Sequence, residues 1–178
     1  MKRRVKVDLD QLGAAFELNF PESHYYLDLE TGRVVMTDDE TNWKLEELYD
    51  EIYDEEGNRI ISLEDLLRQR DDLQDWFKEM LLEADQVEQG YGARYISVDP
   101  GEPYSDYRDV ERFITTVEDP RLREQLWDAI QGRGAFRRFK DLLACHPEVE
   151  KRWFAFKSDR IHRRMLDWLE FHDIEPMT

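Results

Sequence analysis

The chain has 178 residues, and its 42 acidic and 25 basic side chains give a formal net charge of −17. Five Trp, eight Tyr and nine Phe supply the bulk for a sizeable core, so a mean hydropathy of −0.79 reflects a charged surface over a folded interior. The charge repels phosphate backbones and anionic lipid, and the single cysteine, Cys145, forbids an intrachain disulfide. No apolar run approaches the ~20 residues of a membrane span, and MKRRVKVDLDQL lacks the apolar core of a secretory signal. Together these features predict a cytoplasmic protein with no membrane segment.

In chain order, DLDQLGAAFEL (residues 8–18) places Leu9, Leu12, Ala15 and Phe16 at helical spacing, with Asp8 or Asp10 to cap the first turn. HYYLDLETGRVVMT then alternates: Tyr25, Leu27 and Leu29 share one strand face, and Thr31 and Gly32 turn the chain before Val34, Val35 and Met36, which predicts a β-hairpin. From Asp38 to Asn58 ten acids face one lysine, a local charge of −9, while Trp43, Leu45, Leu48, Ile52 and Tyr53 recur near helical spacing. This predicts an amphipathic helix with an anionic face, ended by Gly57-Asn58. Arg59 to Ser62 reads as a brief strand, and Ser62 as the cap of one long helix from Leu63 to Gln89. Gly90 and Gly92 stop that helix, ARYISV reads as a strand, and Asp99, Pro100, Gly101 and Pro103 as a turn.

After Ser105 the pattern reads as helical throughout. Ser105 or Asp106 caps a helix carrying Tyr107, Val110, Phe113, Ile114 and Val117, and Asp119-Pro120 opens a second. Gly132-Arg133-Gly134 separates that helix from one over Ala135 to Ala144. His146-Pro147 starts another, and Ser158 caps a last one ending near His172. The expected fold class is α+β: predominantly helical, with an N-terminal β-hairpin and short strands in a small antiparallel sheet packed on helices. One domain is expected over residues 1–178, with the hairpin, acidic helix and long helix in 1–104 and a helical half in 105–178.

The departure from the acidic background is GRGAFRRFKDLLACHPEVEKRWFAFKSDRIHRRMLDWLEFHDI. Between Gly132 and Met165 ten basic residues stand against four acids, a local charge of +6. Phe136, Phe139 and Leu143 fall on one helix face and read as core. Arg133, Arg137, Arg138 and Lys140 are the candidate binding surface for an anion or a partner. Segregated faces speak against a nucleic-acid stacking platform. Three explanations compete for the basic region: pairing with the Asp38–Glu56 acids within the molecule, the same pairing between molecules, or capture of an anion such as phosphate or RNA. The last has a concrete form, a helix start after Gly134 with Arg133, Arg137 and Arg138 beside it, although GRGAFRRFK is no phosphate-binding loop of the Walker type.

Catalytic and metal signatures do not emerge. Histidines 24, 146, 162 and 172 are not spaced as metal pairs, and Cys145 reads as a small packing residue. The acids around Asp54 miss the glycine and glutamate positions of a calcium loop. No metal, no cofactor and no catalytic residue is expected.

Three blocks carry a resemblance: the YYLDLETGRVV hairpin, RYISV through SDYRDVERFI, and GAFRRFKDLL followed by RWFAF and DWLEFHDI. In these the chain resembles bacterial uncharacterised protein family 0158, nearly over its whole length. The resemblance implies no activity and no functional residue. The expected function is a small, non-enzymatic binding or regulatory module with a protein partner or self-association. Nucleic-acid association through the basic helices ranks second, and an enzyme with a carboxylate or Cys145 site third.

Overall fold

A computed structural model describes residues 2–18, 20–99 and 105–177. In chain order they form β1 (Arg3–Val5), α1 (Leu9–Glu17), β2 (Ser23–Asp28), β3 (Val34–Asp38), α2 (Asp39–Ile52), α3 (Leu63–Arg68), α4 (Asp75–Gly90) and β4 (Tyr95–Val98). α5 (Ser105–Thr115), α6 (Pro120–Ala129), α7 (Ala135–Ala144), α8 (Pro147–Phe171) and β5 (Ile174–Pro176) follow. The fold is α+β. The chain divides into two compact units, residues 1–100 with 169–178, and residues 101–168.

In the first unit the expected hairpin forms. β2 lies between β3 and β4, antiparallel to both, with Tyr25 opposite Met36 on one side and Val98 on the other. Its turn is held from two directions. Gly32 adopts φ +75°, and a Cβ there would stand 1.8 Å from the carbonyl oxygen of Lys6, so the close approach of that strand end requires glycine. Asp28, 3% exposed, accepts hydrogen bonds from the Glu30 amide (2.9 Å) and the Thr31 hydroxyl (2.8 Å), and a two-pronged contact from Arg94 at 3.0 and 2.7 Å. One carboxylate thereby orders the hairpin turn and fastens it to the residue before β4.

α1 begins where expected, with the Asp8 carboxylate accepting from the Gln11 amide. α2 is capped by Asp38 but ends at Ile52, earlier than Gly57-Asn58. The Asp54 side chain diverts the chain: it accepts from the Glu56 and Asn58 amides at 3.0 and 2.8 Å, an Asx-type turn that competes with helix continuation. Arg59 makes a single bridge to Tyr53 in place of a strand. The long helix from Leu63 to Gln89 is in fact two, α3 and α4. Leu45, Leu48, Ile52, Leu63, Leu66, Leu67, Leu81 and Ala84 form one core cluster. In a straight helix Leu66 and Leu81 would stand about 22 Å apart along the axis, too far to face the same part of α2. Breaking at residues 69–74 folds α4 back, and Arg70 secures the break with ion pairs to Asp72 and Glu51.

The expectation that everything after Ser105 is helical is corrected by β5, which pairs in parallel with β1, Arg3 opposite Ile174. Sequence reading missed both strands because each has only three residues, too few to show alternation. Asp173, at φ 55°, makes the bend that frees the chain from α8.

The second unit is α5 to α7 and most of α8. Asp119 caps α6 through the Arg121 and Leu122 amides, with Pro120 at the first helical position. The helix expected to restart at Ser158 is instead one uninterrupted 25-residue α8, because no glycine or proline interrupts its apolar stripe. Phe113, Phe139 and Trp153 meet edge to face, with centroids 5.1–6.5 Å apart, at the middle of the core. Of the turn expected at Asp99, Pro100, Gly101 and Pro103, all but Asp99 lies outside the described residues, and Ser105 and Asp106, expected as caps of α5, are its first two helical residues. No helix of the described residues is long and apolar enough to cross a membrane.

Burial raises the Asp28 carboxyl, but hydrogen bonds from Arg94, Glu30 and Thr31 outweigh it and hold the group at about 2, below the ordinary 3.8. Its stabilising contribution is complete above the unfolded value and is lost as pH falls through the folded one. Urea denaturation should therefore show a loss on the order of 2 kcal/mol between about pH 4 and pH 2 that the Asp28→Asn variant lacks. Equal pH slopes in the two proteins would refute the assignment.

Candidate functional site

The four basic residues singled out by sequence surround the start of α7, but they do different things. Gly132 and Gly134 both have positive φ, 72° and 80°, and bracket Arg133 in a tight loop between α6 and α7. Gly134 caps α7 without a side-chain acceptor for its first amides. Arg138, one turn into α7, reaches back over this loop. Its Nε donates to the Ala129 carbonyl at 3.0 Å, one terminal nitrogen to the Arg133 carbonyl at 2.7 Å, and the other to the Gln131 carbonyl. The guanidinium thus binds the last carbonyl of α6 and two carbonyls of the loop that follows, a task a planar fork performs and a point charge does not. Arg138 is occupied in holding the loop.

Arg133, Arg137 and Lys140 are exposed. Arg137 stands 3.8 Å from Asp141 with its side chain 88% exposed, a pair worth little in water. Between them lies Phe136. Its expected place in the core is corrected: Phe139 and Leu143 are buried, whereas Phe136 is 45% exposed and meets Tyr107 edge to face at 6.5 Å. It sits in the first turn, where the stripe begins and the cover of neighbouring helices is incomplete. The Tyr107 hydroxyl donates to the Ile130 carbonyl at 3.2 Å, so the ring behind Phe136 is itself fixed to the α6–α7 loop.

A second cluster in the same unit escaped the sequence reading. Asp109 of α5 is 2% exposed; Arg160 of α8 donates to it at 2.8 Å, and Arg164 stands 3.1 Å from its other oxygen but off the hydrogen-bond axis. Arg164 also lies 3.7 Å from Asp106. The signal was present in the spacing: Asp106 and Asp109 are three apart, Arg160 and Arg164 four apart, so each pair shares a helix face. Arg160 and Arg164 are thus structural partners of α5, whereas Arg133, Arg137 and Lys140 at the α7 start face solvent. Cys145 is exposed, and its thiol lies 3.6 Å from the Asp141 carbonyl.

The model of the Uncharacterised protein family (UPF0158) matches residues 83–178, more than half of the chain and all of the second unit. The chain belongs to this family. A UPF0158 protein of Pseudomonas aeruginosa is 26% identical over 174 residues, covering 98% of the chain and 88% of the relative, so the likeness extends into the first unit. No solved structure matches the chain. The matched part of this UPF0158 member includes the Arg138 clamp, the Phe136 surface and the Asp109 cluster.

Arg138→Ala should lower unfolding free energy by about 1–2 kcal/mol, with Arg138→Lys recovering little of it, because three carbonyls lose their donor. Arg133→Ala and Arg137→Ala should stay within about 0.5 kcal/mol of the parent. Urea denaturation followed by tryptophan fluorescence distinguishes these outcomes.

Proposed function

We propose that the chain is a cytoplasmic, non-enzymatic binding or regulatory module that engages a protein partner through Phe136, Arg133, Arg137 and Lys140. The observation that supports this reading is a half-exposed aromatic ring set among three exposed cations on a loop immobilised by Arg138. An aromatic anchor with peripheral charge is the composition of an interface centre, and a fixed loop loses little conformational entropy on binding. The chemistry fits a partner segment that brings an apolar side chain to Phe136 and carboxylates to the arginines. The chain's net charge of −17 repels such an acidic segment in general, so docking requires a locally cationic face of this kind.

The exposure of Phe136 also favours a second reading, in which a single-stranded nucleic acid stacks a base on it with Arg133 and Arg137 on the phosphates. Overall charge weighs against it.

The two readings separate in one comparison of the tagged parent with an Arg137→Glu/Lys140→Glu variant, captured from the native cell with proteins and nucleic acids both identified. The protein reading expects a named protein retained at least ~tenfold less by the variant. It also expects thermal unfolding to be unchanged and the parent to give no gel shift with single-stranded RNA at low salt. Identical retention by both proteins would discard this surface as the site.

A further inference from the structure

A cavity in the first unit belongs to none of the features above. It lies between α2, α4 and the β2–β3 pair and has a volume of ≈ 240 Å³. Leu45, Ala84 and Val87, all buried, line its apolar side. Tyr26 of β2 and Tyr49 of α2 form half-buried walls, and Glu46 of α2 and Glu88 of α4 stand on the exposed rim. Asn42 and Thr37 complete the polar lining; the Asn42 amide donates to the Thr37 hydroxyl at 3.2 Å, which leaves its carbonyl oxygen as an acceptor.

The charge of this cavity has one sign. Both of its charged lining residues are glutamates, and neither has an ion-pair partner among the described residues. The Tyr49 hydroxyl donates to Asp85 at 2.8 Å; burial first, and then Asp85 and Glu88, push it well above the ordinary phenol range. Tyr26 is raised too, by burial and, against a hydrogen bond with Thr37, by the nearby Tyr91 and Glu88. The tyrosines therefore remain neutral, and they add aromatic walls to an already negative cavity. Aromatic walls do not ligate metals, and a hard divalent ion wants six or more oxygens. A cation with an apolar stem matches every part of the lining: the head against the two carboxylates, the Asn42 oxygen and the rings, and the methylenes against Leu45, Ala84 and Val87.

We infer that this cavity is a binding site for a small protonated alkylamine. Its ammonium would sit between Glu46 and Glu88, donating to carboxylate and amide oxygens, which a quaternary ammonium has no N–H to do. The site rests on the first unit alone and is independent of the α7 surface. The competing possibility is a water-filled packing gap in an acidic protein that attracts any cation.

Calorimetric titration of the full chain with n-butylammonium chloride decides between them, with sodium, magnesium and tetramethylammonium chlorides at matched ionic strength as comparators. The expected result is saturable one-to-one binding of butylammonium, at least tenfold tighter than the comparators. Glu46→Gln/Glu88→Gln should weaken it at least tenfold. Asp50→Asn/Glu55→Gln, which removes the same charge from exposed positions outside the cavity, should leave it unchanged. Equal weakening by the two double variants would reveal general counterion attraction and overturn the site. Absence of saturation would reveal a water-filled gap, and preference for tetramethylammonium would overturn the assignment of a primary amine.

Discussion

Two charged side chains are buried among the described residues, Asp28 and Asp109, and each unit is organised around one of them. A buried carboxylate without a partner costs several kcal/mol, so its presence obliges the surrounding chain to deliver a guanidinium to one place. In the first unit Arg94, 66 residues away in sequence, meets that obligation and fixes where β4 must lie against the hairpin. In the second, Arg160, 51 residues from Asp109, sets the rotation of α8 against α5. Apolar packing alone tolerates small slips of a helix or strand. These pairs do not, because a displacement of one residue would strand a charge. Removing either arginine should therefore cost more than removing any exposed ion pair of the molecule.

The charge layout follows from the same economy. A chain of net charge −17 places two arginines on Asp109 and one on Asp28, and spends Arg138 on carbonyls. The cations around Phe136 are instead exposed, with Arg137 held only by a solvent-facing pair to Asp141. Within the first unit Glu46 and Glu88 keep no such partner, which gives the α2–α4 cavity its sign.

Much of this was legible in the sequence where a feature is local. Asp8, Ser62 and Asp119 cap the helices they precede, Gly32 marks the hairpin turn, and the α7 periodicity places Phe139 and Leu143 inside. Features that depend on a distant partner were not legible. The break between α3 and α4 exists because α2 must be covered by both, and nothing in residues 69–74 announces it more strongly than a helix would tolerate. Phe136 and Phe139 look alike in sequence; only the neighbouring Tyr107 and the incomplete cover of the first turn distinguish the exposed ring from the buried one. Arg138 and Arg137 are adjacent and chemically identical, yet the loop geometry set by two positive-φ glycines presents carbonyls to one and solvent to the other.

The pairing of β1 with β5 has a consequence for the order of events during synthesis. Residues 101–168, which hold the whole second unit, are interposed between the two parts of the first. A ribosome delivers all of that unit before it delivers Ile174. The unit whose sequence starts later can thus close earlier, while β1 waits with its parallel edge open until the last strand emerges. Domains of a nascent chain ordinarily mature from the N-terminus onward; here the older segment is the last to be sealed, and a chain lacking Ile174–Pro176 would leave β1 without its partner.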